Sequence, residues 1–254
     1  MGEGVLYSYI IILILSCIEF FFHYKFINYI RKDLTKKQKA HILSIKSSLT
    51  LFLIGIYFNY YYFISKCNVD NFFDILDKKD NLNFGILVVL YFTAYLIMDM
   101  YIGSYEYPEY MKTLSGNIHH SIYTIVNCTT IYFGVFPLYL LHMMSELPTF
   151  ILAIGSFDSS FRNDQLFGIT FLLTRIIYHA ILIYVCRHNT VILACGLLAL
   201  CLHIYWFSNW LKKHGFKTLF KNPTTKTKTK TKTKTKTKTK TKTKTKKKTK
   251  KIGR

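Results

Sequence analysis

The stretch Ile118–Ile154, IHHSIYTIVNCTTIYFGVFPLYLLHMMSELPTFILAI, decides how this chain folds. It is apolar enough for hydrocarbon, yet it carries His119, His120, His142 and Glu146. Hydrocarbon strongly disfavours ionisable side chains, so those found at membrane depth line a protein interior, pair with one another, or take part in a reaction. Gly134 and Pro137 interrupt the stretch, and its length suits two short spans, Ile118–Tyr132 and Phe136–Ile154, joined by a tight turn.

Working outward, five more apolar stretches of similar kind appear: Val5–Phe22, Ser47–Ile64, Phe84–Ile102, Leu166–Tyr184 and Thr190–Trp210. A bilayer core of about 30 Å takes roughly 20 residues of helix. The chain has 254 residues, 51% of them hydrophobic, and its charges collect in loops and at the C-terminus rather than on alternating helix faces. The expectation is an all-α, multi-pass membrane protein with about seven transmembrane helices, six being the alternative. The first stretch has no basic leader and no small-residue cleavage site, so it reads as a retained helix and not as a signal peptide.

Charge sets the expected orientation. The loop Arg31–His41 (RKDLTKKQKAH) holds five basic residues against Asp33, which places it in the cytosol. The loop Lys66–Asn83 holds Asp70, Asp74, Asp77 and Asp80 against three lysines and suits the opposite side. Five further spans return the C-terminus to the cytosol, so both signals agree with seven. The formal charge of +21 is mostly tail: Thr224–Arg254 has 15 lysines, Arg254 and no acid, which leaves +5 on the body. Basicity confined to a tail on a membrane body argues against a nucleic-acid partner. The Thr-Lys repeat has no apolar residue until Ile252 and is expected to be a disordered polybasic segment. Anionic lipid headgroups are its natural partner, at about 1 kcal/mol per near-surface lysine. Of the six cysteines, Cys67 and Cys186 alone sit near span ends on one side, where a disulfide between them is open.

The polar residues within the spans recur at helical spacing. His120, Thr124 and Asn127 form one stripe, and His119, Tyr123, Asn127 and Thr130 its neighbour. His142, Ser145, Glu146 and Thr149 share a face of the next span, with Pro148 as a kink. Arg175 and His179 lie at i, i+4, and Asp99 falls one turn after Tyr95. Several helices thus turn a polar face inward, towards a shared cavity. Asp99 or Glu146 beside Arg175 reads equally well as a buried ion pair that fixes helix positions. His142, His179 and His203 stand singly on apolar helices, where bonding to a neighbouring carbonyl or hydroxyl is the usual outcome. The adjacent pair is different: His119 and His120 point about 100° apart and cannot duplicate one contact, and imidazole suits general-base work near neutral pH. The chain contains no H-x-x-H or H-x-x-x-H, so no metal and no resident cofactor is expected.

Five segments carry a family resemblance: YFTAYLIMDMYI (91–102), NIHHSIYTIVN (117–127), LLHMMSELPTFI (140–151), FGITFLLTRIIYH (167–179) and LHIYWFSNWLKK (202–213). The order of an intramembrane Asp, a His-His, a Glu and an Arg resembles the TLC-domain family of multi-pass endoplasmic reticulum proteins linked to lipid metabolism. The resemblance implies a six-helix barrel over residues 47–213, an N-terminal helix and basic loop over 1–46 packed outside it, and the tail over 214–254. Ceramide synthases of that family join a fatty acyl group from acyl-CoA to a sphingoid base and need a double histidine, which His119 and His120 match. The chain departs from them afterwards. Tyr123 stands where they have threonine, and His142-Met143-Met144-Ser145-Glu146 lacks the first acid of their His-Asp-x-Ser-Asp element. The SELPTF segment is more similar to members without synthase activity. The resemblance therefore implies a role in membrane lipid homeostasis, with an intramembrane lipid held by Thr124, Asn127, His142, Ser145, Arg175 and His179. Sphingoid-base N-acyltransfer is the alternative, with His119 or His120 as base or acyl carrier, Asp99 or Glu146 orienting it, and acyl-CoA as co-substrate. Membrane lipids are the expected partners in either case; the sequence leaves the oligomeric state open.

Overall fold

The computed structural model describes residues 3–78, 81–111 and 114–216. The Thr-Lys tail and Asp80 lie outside the described residues. Every regular element described is helical: α1 (Glu3–Ile30), α2 (Lys36–Lys39), α3 (Ile42–Ile64), α4 (Val69–Lys78), α5 (Asn81–Glu106), α6 (Pro108–Met111), α7 (His119–Tyr132), α8 (Phe136–Leu141), α9 (Leu147–Phe157), α10 (Asp164–Phe171), α11 (His179–Val185) and α12 (Thr190–His214). Runs such as YIIILIL in α1 and IYFNYYYF in α3 are rich in strand-forming residues. They are helical here because hydrocarbon offers no partner for backbone groups, and a single segment satisfies all of its own only as a helix.

Among the described residues six helical stretches are long and apolar enough to cross a membrane: Leu6–Ile30, Lys36–Ile64, Asn83–Glu106, Phe136–Phe157, Asp164–Val185 and Thr190–His214. The chain is therefore an all-α, multi-pass integral membrane protein. The remaining stretch read from the sequence is α7, whose 14 residues rise only about 21 Å. It runs antiparallel to α5, with His120 beside Asp99 and Asn127 beside Thr93.

Two stretches are helical throughout but change pitch inside. Between α8 and α9 the chain tightens into a 3-10 turn, His142–Glu146, just before Pro148. This is the interruption that the proline led us to expect. Between α10 and α11 it widens into a π segment, Leu172–Tyr178. A second π segment, Leu114–Ile118, leads into α7.

Helix α5 is central, and α1, α3 and α7 pack on it. From α1 only Phe20 and Tyr24 are fully buried; Phe20 meets Tyr91 at 4.8 Å. Ile10, Ile14, Ile18, Phe22 and Phe26 of α1 point outward, where lipid covers them. Glu19 and Lys46, two charges the sequence reading passed over, pair between α1 and α3.

The basic loop Arg31–His41 contains α2, capped by Thr35 and Gln38, and Gln38 Nε2 donates to the Phe157 carbonyl at 2.8 Å. At this end Lys39 meets Glu106 at 3.5 Å and His214 meets Asp164 at 3.7 Å. At the other end the acidic loop is a correction to the sequence reading, because it folds as α4. Phe72 and Leu76 are buried, while Asp70, Asp74 and Asp77 face out. Cys67 and Cys186 line one cavity there with both thiols free, so the disulfide left open by the sequence is not formed.

Candidate functional site

The site begins with a glycine. Gly116 adopts φ −99°, ψ −117° inside the π segment, and a Cβ there would lie 2.5 Å from the Met111 carbonyl oxygen. The close approach aims the Gly116 carbonyl at His120, whose Nδ1 donates to it at 2.9 Å. With its proton on Nδ1, the neutral ring presents a bare Nε2, and that nitrogen lies 3.1 Å from Asp99 Oδ2. The contact is close but not linear enough for a hydrogen bond. Tyr107 donates to the other oxygen, Oδ1, at 2.6 Å. Burial, and after it the Asp99 carboxylate, pushes the Tyr107 phenol well above its usual range, which keeps it a donor. Asp99, His120 and Tyr107 are each at most 5% exposed, so these two neighbours are the carboxylate's nearest polar contacts.

His119 is handled differently. Its ring packs on Tyr123 at 4.5 Å and edge-on to Trp206 at 5.0 Å, and its buried Nδ1 has no partner among the described residues. Two cavities meet at this residue. The first, of about 340 Å3, is the more polar of the two and carries Asp99, His120, Tyr107, His41 and Glu109 in its lining. The second, of about 260 Å3, is mostly apolar and is lined by Phe167, Phe171, Trp206, Pro148 and Arg175. His119, Thr149 and Leu152 border both.

Arg175 sits in the wide turn Leu172–Tyr178 and directs its Nε and Nη2 donors at the turn His142–Glu146 and the start of α9. Nε donates to the Ser145 carbonyl at 2.7 Å, and Nη2 to Thr149 Oγ1 at 2.6 Å and to Glu146 Oε1 at 3.1 Å. Its guanidinium also lies 5.4 Å from the Phe171 ring centre. Of the two acids that the sequence offered as its partner, the structure selects Glu146. This corrects the alternative in which Glu146 orients a histidine of the pair; Asp99 does so.

Three histidines expected to stand singly are assembled by tertiary structure. His142, His179 and His203 come from three segments, and a ligand atom from each lies within 4.8 Å of the others. His179 Nδ1 and His203 Nδ1 are 3.1 Å apart, and His203 Nε2 is 3.0 Å from the Tyr123 hydroxyl. Only His203 meets the expected carbonyl, that of Arg175 at 3.2 Å. Both nitrogens of His142 are buried without a partner, a state that costs about 1–3 kcal/mol per group. A cavity of about 40 Å3 adjoins His142 and His179, with Tyr139 and Tyr123 in its wall. The expectation of no metal rested on intrahelical spacing, and this cluster is built across helices.

The structure thus divides the sequence-predicted residues. It brings His119, His120, Asp99 and Arg175 to the two larger cavities, while Ser145 contributes its carbonyl and Glu146 its charge. His142 and His179 belong to the small cavity instead. The Thr124 hydroxyl turns back to the His120 carbonyl at 2.8 Å, and Asn127 Nδ2 donates to Thr93 at 3.0 Å while its buried Oδ1 has no partner among the described residues. Tyr107, Gly116 and Trp206 were missed. Tyr107 and Gly116 lie between the spans, where an intramembrane-charge criterion does not look, and Trp206 looks like an ordinary apolar residue. Searched against protein-family models, curated proteins and solved structures, the chain matches none.

Proposed function

We propose that this protein holds a membrane amphiphile and acts in membrane lipid homeostasis, as the TLC-domain resemblance implies. The observation that carries the reading is the shared wall of the two larger cavities. His119, Thr149 and Leu152 join a polar chamber to an apolar one, which matches a ligand with a headgroup and an acyl chain. The first chamber alone, at about 340 Å3, falls in the range of about 300–1,000 Å3 usual for ligand sites. The polar chamber lies at the end of α2, α6 and Glu109, the end that the positive-inside rule assigns to the cytosol. The alternation of chain direction from α1 to α12 supports seven crossings with α7 as the short one, and a six-helix barrel from α3 onward. The reading includes residence in the endoplasmic reticulum with a cytosolic tail.

The Asp99–His120 pair favours a second reading, N-acyltransfer to a sphingoid base. In it His119, whose Nδ1 is unpartnered, takes the amine proton as the nitrogen bonds the thioester carbonyl of acyl-CoA. The carbon–sulfur bond breaks, and the thiolate receives the proton back. His120, fixed by Asp99 and Gly116, positions His119 and matches the negative charge that develops.

Lipid mass spectrometry of cells expressing the chain, against His119→Ala and His120→Ala at equal expression, tests both. A lipid change lost in both folded variants supports turnover. A change that persists with His119→Ala supports holding without turnover. No lipid change from the wild-type chain overturns both. Protease treatment of sealed microsomes tests the orientation: a C-terminal tag is expected to be removed, and a protected tag reverses it.

A further inference from the structure

His142, His179 and His203 form a second polar centre that lipid holding does not use. It lies at the small cavity, with Tyr123 between His203 and the His119 ring. The residues are 9%, 3% and 1% exposed, and they converge from the 3-10 turn, the start of α11 and the middle of α12. Ring packing alone does not account for them. His142 lies 4.0 Å from the His179 ring centre, yet both of its nitrogens are buried and unsatisfied. Unsatisfied nitrogens on one imidazole beside two others form a donor set suited to a cation.

We propose that His142, His179 and His203 bind a divalent transition-metal ion of the zinc type. Imidazole is a ligand for this class, and three histidines with one open position make a known donor set. The separation of 3.1 Å between His179 Nδ1 and His203 Nδ1 compares with about 3.3 Å across a tetrahedral zinc with bonds near 2.0–2.1 Å. All three donor atoms fall within 4.8 Å, so closure around the ion moves His142 inward on the order of 1 Å. The first residue of a 3-10 turn beside a cavity has room to do that. Without metal, His203 Nδ1 donates to the Arg175 carbonyl. Metal binding at Nδ1 shifts that proton to Nε2, where the Tyr123 oxygen lies 3.0 Å away to accept it, an outer-shell contact of the kind that orients metal-bound histidine.

Charge is the main objection, because three neutral imidazoles leave a dication uncompensated. Two features answer it. The Arg175 guanidinium does not add to the charge, since Glu146 neutralises it at 3.1 Å. The Tyr139 hydroxyl is buried, lacks a partner among the described residues and lines the same cavity as His142 and His179, and its oxygen would offset part of the charge were it drawn to the ion as the fourth ligand. The cavity of about 40 Å3 otherwise accommodates a metal-bound water.

The test uses the full chain, purified in detergent and dialysed against micromolar zinc chloride or cobalt chloride. We expect close to one zinc per chain by mass spectrometry of the metal, a tetrahedral cobalt spectrum, and a rise in the unfolding temperature on metal addition. His142→Ala and His179→Ala are expected to lose the metal and the thermal rise, whereas His119→Ala keeps both. Tyr123→Phe is expected to retain the fold and weaken metal binding by about 10-fold or more. A folded wild-type chain that takes up no zinc, gives no cobalt spectrum and shows no thermal shift overturns the proposal. Uptake that survives His142→Ala places the ion elsewhere and overturns it as well. Because the wild-type measurements decide alone, a variant that fails to fold does not rescue the idea.

Discussion

The five-residue turn His142–Glu146 has opposite electrostatics at its two ends. At Glu146 the environment is saturated: Arg175 reaches the carboxylate, the Ser145 carbonyl and Thr149 together. At His142 it is empty, with two buried nitrogens unpartnered beside His179 and His203. Less than two helical turns separate the regions, so depth does not explain the difference. Full charges are matched by the fold itself, because an isolated charge at mid-membrane costs about 2.5–3.5 kcal/mol even on lenient scales. Neutral imidazoles are tolerated with partners missing, because their cost is smaller. The first region is therefore built for stability, and the second is left open for something to bind.

The strongest way to break this comparison is Arg175→Ala. Glu146 would be left buried and unpaired, and we expect a loss of about 3–5 kcal/mol, read as the fall in unfolding temperature of the detergent-solubilised chain. Adding Glu146→Gln to it should restore part of the loss. If the double variant is no better than the single one, the pair is not the charge-neutral unit described here. Next in size is Gly55→Ala in α3. A Cβ there would lie 2.5 Å from the Met144 backbone nitrogen and 2.8 Å from the Met143 carbonyl carbon. Backbone cannot move aside as a side-chain tip can, so a cost of about 1–3 kcal/mol is expected, together with displacement of both ends of the turn. Full stability in this variant would mean that α3 does not hold the turn in place.

Tyr107→Phe sharpens the comparison on the Asp99 side. It removes the phenol that donates to Oδ1 and leaves that oxygen buried, for about 1–3 kcal/mol. The same change should alter the pH dependence of any lipid turnover, because the carboxylate beside His120 then loses its phenol donor. Unchanged stability and pH profile would show that water replaces the phenol. Thr124→Val is the smallest, expected within about 0.5 kcal/mol, because its hydroxyl bonds only its own helix. A large loss there would return Thr124 to the ligand site in which the sequence reading placed it.

These residues also show what was legible beforehand. The spans could be read because membrane and core both demand apolar runs, and Asp99, His119, His120 and Arg175 could be singled out because charge is rare in such runs. Their partners could not. Helical spacing reports which residues share a face of one helix, and it placed Arg175 with His179. The structure gives Arg175 to Glu146 and His179 to His203, choices made between helices. Spacing was equally silent on where Thr124 Oγ1 and Asn127 Nδ2 bond: the first meets the His120 carbonyl and the second Thr93. The 3-10 turn had a signal in Pro148. The π segment Leu172–Tyr178 had none that we recognise, and Gly116 identifies itself only through the Met111 backbone pressed against it.

The π segment carries a consequence for insertions and deletions. A π turn amounts to one residue more than the α-helix needs, so Leu172–Tyr178 behaves as an insertion already accepted by the fold. Deleting Leu173 would let the helix close to ordinary pitch without shortening its span. Residues on either side would keep their faces, while those inside the segment, Arg175 among them, would shift relative to His179. Arg175 and His179 could not both keep their present neighbours, so the chain would retain the ion pair with Glu146 or the meeting with His203, and lose the other. Reading metal content and unfolding temperature on that single-codon deletion would tell which of the two sites the helix is anchored to.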